Sequence, residues 1–300
     1  IYTLSLHDAL PIFIMKVGDI VARKSYNKDI VFKITDIIVD ENGKKIAILK
    51  GVAFRIIADA ELSDLEILKP PDIREILMDK NVESILYRSL KKAKDRDRRN
   101  MRGLPKSAQQ PANVYGVPGK VLQIDGDKEY LKICLDVYSQ LGIPAVGVAI
   151  PETNQYKEVK NLLEKHKPDI LVITGHDALH VKNGDLKNIN NYRNSYNFLK
   201  AVKEARKWQP DLDTLVIFAG ACQSNYEALM KAGANYASSP GRIMIHALDP
   251  VFIVEKIACS RIDVVVPIEE ILDQTITGVK GIGGFETRGK FRWAMPRPLL

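Results

Sequence analysis

The sequence predicts an α/β protein: a parallel sheet covered by helices in the C-terminal two-thirds, preceded by a small β module and a helical, basic linker. Three observations carry this. After Gly119 strongly apolar runs such as Asp169–Thr174 (DILVIT) and Thr214–Ala219 (TLVIFA) alternate with stretches of helical spacing, the pattern of strands buried on both faces. Between Met15 and Pro70 the apolar runs are short and broken by turn residues. Between these regions lies a segment dense in Lys, Arg, Gly and Pro. The expected boundaries are 15–70 for the β module, 71–116 for the helical segment and basic linker, and 117–300 for the α/β domain.

In the first region the runs are GDIVAR, IVFKITDIIV, KKIAILKG and DLEIL, with Glu41-Asn42-Gly43 as a hairpin turn. This predicts a small β-barrel of SH3-like build, or a half-open meander used for docking. Pro70-Pro71 ends the module. The apolar residues Ile73, Ile76, Leu77, Ile85, Leu86 and Leu90 then recur at helical spacing.

Beyond Gly119, strands are expected at Lys120–Ile124, Ala145–Ile150, Asp169–Thr174, Thr214–Ala219 and Asp263–Val266. Helices are expected at Lys128–Leu141, Tyr156–His166, Ser195–Trp208, Tyr226–Ala232 and near Glu269. The glycine-rich GVKGIGGFETRGK near the C-terminus is neither GxGxxG nor GxxxxGK[ST], and predicts a mobile loop.

Composition narrows the classes. No apolar run approaches the ~20 residues of a membrane span, which argues against a membrane protein. The cysteines Cys134, Cys222 and Cys259 are sparse, odd in number and without CxxC spacing. They argue against a disulfide framework or structural zinc and suit a reducing, intracellular compartment. No HExxH, EF-hand or Cys/His cluster occurs, so neither metal nor cofactor is expected. The net charge of +7 belongs to one segment, since Arg88–Lys106 holds nine basic residues and two acids and the remainder sums to zero. Nucleic acid is therefore not the expected partner. Residues Ile1–Ile14 (IYTLSLHDALPIFI) precede Met15, which opens a plausible native start, and LSLHDALPI resembles translated adapter sequence. They are read as a non-native leader and left aside with His7.

Ligands of open parallel sheets bind at the carboxyl ends of the strands. Two strand ends run into reactive side chains: ILVIT into Gly175-His176-Asp177, and LVIFA into Gly220-Ala221-Cys222. On neighbouring strands both would project from one edge, ~4.8 Å apart at the backbone. Cys222 would attack a peptide carbonyl as thiolate, favoured by the N-terminus of the helix over Tyr226–Ala232. His176 would serve as general acid and then base. The backbone N–H groups of Asp177 and Cys222 are the oxyanion-hole candidates.

A strand running into His and, 46 residues later, a strand running into Ala-Cys resembles the caspase-like cysteine peptidases. The stretch from Met15 to Leu300, with VPGKVLQIDGD, ILVITGHDAL and LVIFAGACQSN, looks like the YabG family of sporulation-specific proteases of endospore-forming bacteria. The resemblance implies a cysteine endopeptidase that processes spore coat and related spore proteins after basic residues, in the mother-cell cytoplasm and developing coat. It implies His176 and Cys222 as the dyad. Two departures from the broader caspase-like pattern bear on the oxyanion hole: Asp177 replaces Gly after the histidine, and Gly220 replaces Gln before Ala221.

Plainer readings stand beside these. A cysteine after a buried strand is more often a core residue than a nucleophile; two such strand ends, each with glycine, bring the alternatives level, and the resemblance decides for the nucleophile. Cys134 and Cys259 are read as core thiols. Asp177 and His180 orient His176, line a pocket or lie on a solvated loop, the last being the commoner case. His246 borders the site or not. Asp177 and Asp249 are the acids able to receive a basic side chain in a specificity pocket. The basic segment is a solvated tether, an acidic-partner site or a self-processing site within 91–106. The rival from another class is a non-catalytic scaffold whose β module and basic linker dock on a coat protein or nucleic acid.

Overall fold

A computed structural model describes residues 15–69, 80–95, 115–180 and 185–295. The leader, most of the basic segment (96–106) and the Pro70-Pro71 junction lie outside these. The described residues divide into two compact units, one formed by 15–53 and 57–69, the other by Phe54–Ile56 and the described residues from 80 onward.

The first unit is a five-stranded antiparallel sheet of β1 (Ile20–Arg23), β2 (Val31–Val39), β3 (Lys45–Gly51), β4 (Ile57–Glu61) and β5 (Leu65–Ile67) in the order β4-β3-β2-β1-β5. Gly43, at φ +79°, closes the β2–β3 hairpin at the expected place. A shift of register between Ile34 and Asp36 bends β2. Val21, Ala22, Val31, Ile34 and Leu49 fill the interior.

The second unit opens with α1 (Lys80–Lys94) and the short β6 (Tyr115–Val117). Alternating strands and helices follow: β7 (Val121–Asp125), α2 (Lys128–Gln140), β8 (Ala145–Ala149), α3 (Glu152–His166), β9 (Ile170–Thr174), α4 (Ser195–Trp208), β10 (Val216–Ala219), α5 (Tyr226–Lys231) and β11 (Tyr236–Ser238). Helices α6 (Asp249–Cys259), α7 (Ile268–Leu272) and α8 (Gly278–Gly281) are interspersed with β12 (Val265–Val266), β13 (Ile282–Gly284), β14 (Thr287–Arg288) and β15 (Arg292–Ala294). The main sheet runs β13-β11-β10-β9-β7-β8, parallel throughout except for β13.

Strand alternation divides the core. Val121, Ile170, Val172, Val216 and Phe218 meet Cys134, Val137, Val251 and Val254 from α2 and α6 on one face. Leu122, Ile124, Leu171, Ile173 and Ile217 meet Val159, Leu163, Phe198 and Val202 from α3 and α4 on the other. This is why the central strands read as unbroken apolar runs.

Two expectations are corrected here. The glycine-rich C-terminal stretch is ordered: α8 leads into β13, which closes the sheet against β11 through Ile282, Gly283 and Gly284. Glycine there admits close approach, since a Cβ on Gly284 would run into Tyr236 and the Asn235 carbonyl. The strand expected at Asp263–Val266 shrinks to β12, outside the main sheet and antiparallel to β14.

Candidate active site

In the order β8-β7-β9-β10-β11 the chain leaves β7 in one direction for β8 and returns past it to β9. Such a reversal opens a crevice outside the carboxyl ends of the two strands. Asp125-Gly126-Asp127 emerges from β7, Gly175-His176-Asp177 from β9, and Gly220-Ala221-Cys222 from the adjoining β10.

His176 is held from two sides. Its Nε2 lies 2.8 Å from Asp127 Oδ2, and its backbone N–H donates to Glu152 Oε1 at 2.7 Å. Asp127 is itself fixed as the N-cap of α2, where Oδ1 accepts from Glu129 N and Tyr130 N. The Glu152 carboxylate lies where a Cβ on Gly126 or Gly175 would be, so a side chain at either exit would have to displace it. With Nε2 against a carboxylate, the favoured neutral tautomer carries its proton there and presents a lone pair at Nδ1. That Nδ1 is buried and has no hydrogen-bond partner among the described residues. The Tyr130 ring lies 5.8 Å from the imidazole.

Asp177 ties the histidine loop to the cysteine loop. Its carboxylate accepts from Ala178 N (2.9 Å), Asn194 N (2.7 Å), Ser195 Oγ (2.5 Å) and Ser224 Oγ (2.9 Å). Burial raises its pKa against the pull of these donors. The expected solvated loop therefore holds for His180, which is exposed, but fails for Asp177, which is buried.

Cys222 is placed by a strained turn. Gly220 has φ +108°, and a Cβ there would meet Ser238 Oγ and Leu229 Cδ1; Gln223 follows at φ +55°. The thiol is 3% exposed and belongs to the core beneath α2 and α6. Ile245 N donates to Sγ at 3.4 Å, and Sγ lies 3.8 Å from Ile245 O. Burial pushes the thiol up to about 11, opposed by the Ile245 backbone and by Arg55. The helix that follows, α5, is short and capped by Asn225, and its effect on the thiol is smaller than that of burial. Neither Cys222 N–H nor Asp177 N–H is engaged by a protein acceptor among the described residues.

Asp249 is fully buried. His246 N and Thr277 Oγ1 donate to its Oδ2, and Ile276 N donates to Oδ1; burial raises it to about 6. The oxygens of both Asp177 and Asp249 are engaged by donors inside the protein. His246 does border the site, immediately after Ile245, and burial with help from Arg55 lowers it to about 4. Cys259 is half-buried beside the core, and Cys134 is wholly buried.

Sequence reasoning missed Asp127, Glu152, Tyr130, Asp125 and Arg55. The first two carried a signal, because Asp127 is an N-cap residue directly after a strand and Glu152 opens the next helix. Arg55 carried none: it is distant in sequence, yet its guanidinium is fully buried and pairs with Asp125 through two 2.9 Å hydrogen bonds.

The family model described as YabG peptidase U57 matches residues 16–296. Among curated relatives, the sporulation-specific protease YabG of Bacillus subtilis (strain 168) is 44% identical over 286 residues, covering 94% of this chain and 98% of that protein. The strand exits that build the crevice all fall within the matched span, and the chain belongs to the YabG peptidase family, whose characterised relative is a protease of sporulation.

Proposed function

We propose that this protease is a cysteine endopeptidase of caspase-like arrangement, with Cys222 as nucleophile and His176 as general acid and base. The observation that carries the reading is the imidazole fixed on Asp127 at the strand-order reversal, beside the loop that bears the only cysteine at a strand exit. In the proposed cycle Nδ1 takes the thiol proton as sulfur attacks the substrate carbonyl carbon. The tetrahedral oxyanion is held by the N–H groups of Cys222 and Asp177. Collapse breaks the C–N bond, and the amine leaves with the proton from Nδ1. Water, deprotonated by the same nitrogen, then releases the acyl group and restores the thiol.

The substrates on this reading are spore coat and related spore proteins, cut after basic residues, with self-processing within 91–106. A second reading is favoured by one observation: Cys222 is closed in by the core and its proton is tightly held. On that reading it is a core thiol of a different catalytic apparatus or of a scaffold. Cleavage of an arginine-containing protein by the purified chain, beside Cys222→Ala and His176→Ala, separates the two. The dyad requires that only the intact chain cuts; equal cutting by all three leaves Cys222 a core thiol.

A further inference from the structure

Arg55 belongs to the α/β unit although its flanking strands β3 and β4 belong to the other. Its side chain is enclosed, with Nη1 and Nη2 engaged and the buried Nε without a hydrogen-bond partner among the described residues. Nη1 and Nη2 donate in parallel to Asp125 Oδ1 and Oδ2, each at 2.9 Å. Gln123 Nε2 donates to Asp125 Oδ2 at 3.1 Å and Asp127 N donates to Oδ1 at 2.9 Å, so the acceptor is itself locked. The Tyr130 ring covers the guanidinium at 4.9 Å, and Cys134 Sγ lies 3.7 Å from Nη2. Both charges are wholly buried. A buried ion pair of this kind is a weak contributor to stability compared with apolar packing, so its placement calls for another reason.

The main chain around Arg55 supplies it. The Arg55 backbone lies near enough to Cys222 to offset part of the upward push of burial on its thiol. Phe54 pairs antiparallel with His246, the neighbour of the residue that touches the same sulfur. Tyr130 donates its hydroxyl proton to Phe54 O at 2.7 Å. A single antiparallel bridge at the enzyme edge, with the next side chain sunk in a pocket beside the nucleophile, is the kind of contact by which a peptide backbone is held at a cleft. Resting on the assignment of Cys222 above, we propose that Asp125 is the floor of the pocket for the basic residue preceding the scissile bond, and that Arg55 occupies that pocket as a built-in substrate mimic. Ile56 N donates back to Phe54 O at 2.8 Å, closing a three-residue turn about Arg55. A peptide so folded is held out of the extended form in which a substrate strand would lie. The resident segment thereby shields the thiol and competes with external arginine.

The test uses the full chain and a small guanidinium probe, agmatine. In the Cys222→Ala background, Arg55→Ala lowers the melting temperature, and millimolar agmatine restores several degrees of it. The same agmatine leaves the chain with Arg55 in place unchanged, and it fails when Asp125→Ala is added. Absence of rescue in Arg55→Ala, or equal stabilisation with Arg55 in place, overturns the proposal. Should Arg55→Ala not fold, Arg55→Gln with Cys222 intact carries it. Vacating a self-occupied pocket raises apparent access in proportion to the occupancy removed, so alkylation of Cys222 by iodoacetamide rises about tenfold or more and agmatine reverses the rise. An unchanged rate overturns the proposal. The agmatine measurement needs no catalysis, so it stands or falls independently of whether Cys222→Ala still cuts protein.

Discussion

The two loops that leave β9 and β10 share a local grammar of apolar strand, glycine and reactive residue, yet they end in opposite states. His176 is half-buried and braced by Asp127 and Glu152, with one ring nitrogen left unpartnered. Cys222 is sealed under Ile245 and Arg55, and its proton is held up to about pH 11. Strand position places both groups at the same edge; what covers each one decides whether it is ready to react. In the roles proposed above, a base needs an orienting partner, whereas a nucleophile needs release from burial.

That contrast can be broken most sharply at Asp127. Asp127→Asn keeps the cap of α2 but removes the charge that holds the imidazole, and kcat on a protein substrate should fall ~100- to 1,000-fold with KM little changed. A structural role alone would move the melting temperature instead, so both are measured.

Next comes the turn that places the thiol. Gly220→Ala sets a side chain at φ +108° and against Ser238 and Leu229, at a cost of about 3 kcal/mol in denaturant unfolding. The equivalent His-side change, Gly175→Ala, meets the movable Glu152 carboxylate and is expected to cost less, ~1–2 kcal/mol. Equal losses would erase the distinction between a strained and an adaptable exit.

The smallest effect is a pH slope. His246 is lowered to about 4 in the fold, so between pH 4 and its ordinary range the unfolded chain binds more protons and stability rises with pH. Near pH 5 this disfavours the fold by about 2 kcal/mol. Asp249, raised to about 6, acts in the opposite sense, its stabilising influence being present at low pH and lost as pH rises toward 6. Comparing the intact chain with His246→Asn isolates the histidine, since Asp249 is common to both. An unchanged acid limb in His246→Asn would place the charge-sensitive group elsewhere.

Much of this site was legible before any tertiary structure. Unbroken apolar runs announce the parallel sheet because both its faces are covered, and glycine marks the two exits because a Cβ at Gly220 would meet Ser238 and Leu229 and one at Gly175 would displace the Glu152 carboxylate. The glycine-rich C-terminal segment misled for the same reason that it matters: glycine signals a turn and a close backbone approach alike, and only the position of Tyr236 shows which applies. Asp177 looked like a loop residue because its four donors come from three separate segments.

Sequence by itself therefore determined the alternation of strands and helices, the family, and the two side chains at strand exits, all of which depend on local periodicity and on short motifs. Tertiary structure alone decided that Asp127 is the partner of His176, that Cys222 rests as a shielded thiol, and that Arg55 pairs with Asp125 seventy positions away. Such pairings arise from the strand order, which brings the end of β7 beside the end of β9. No spacing along the chain encodes which distant group will fill the space left between them.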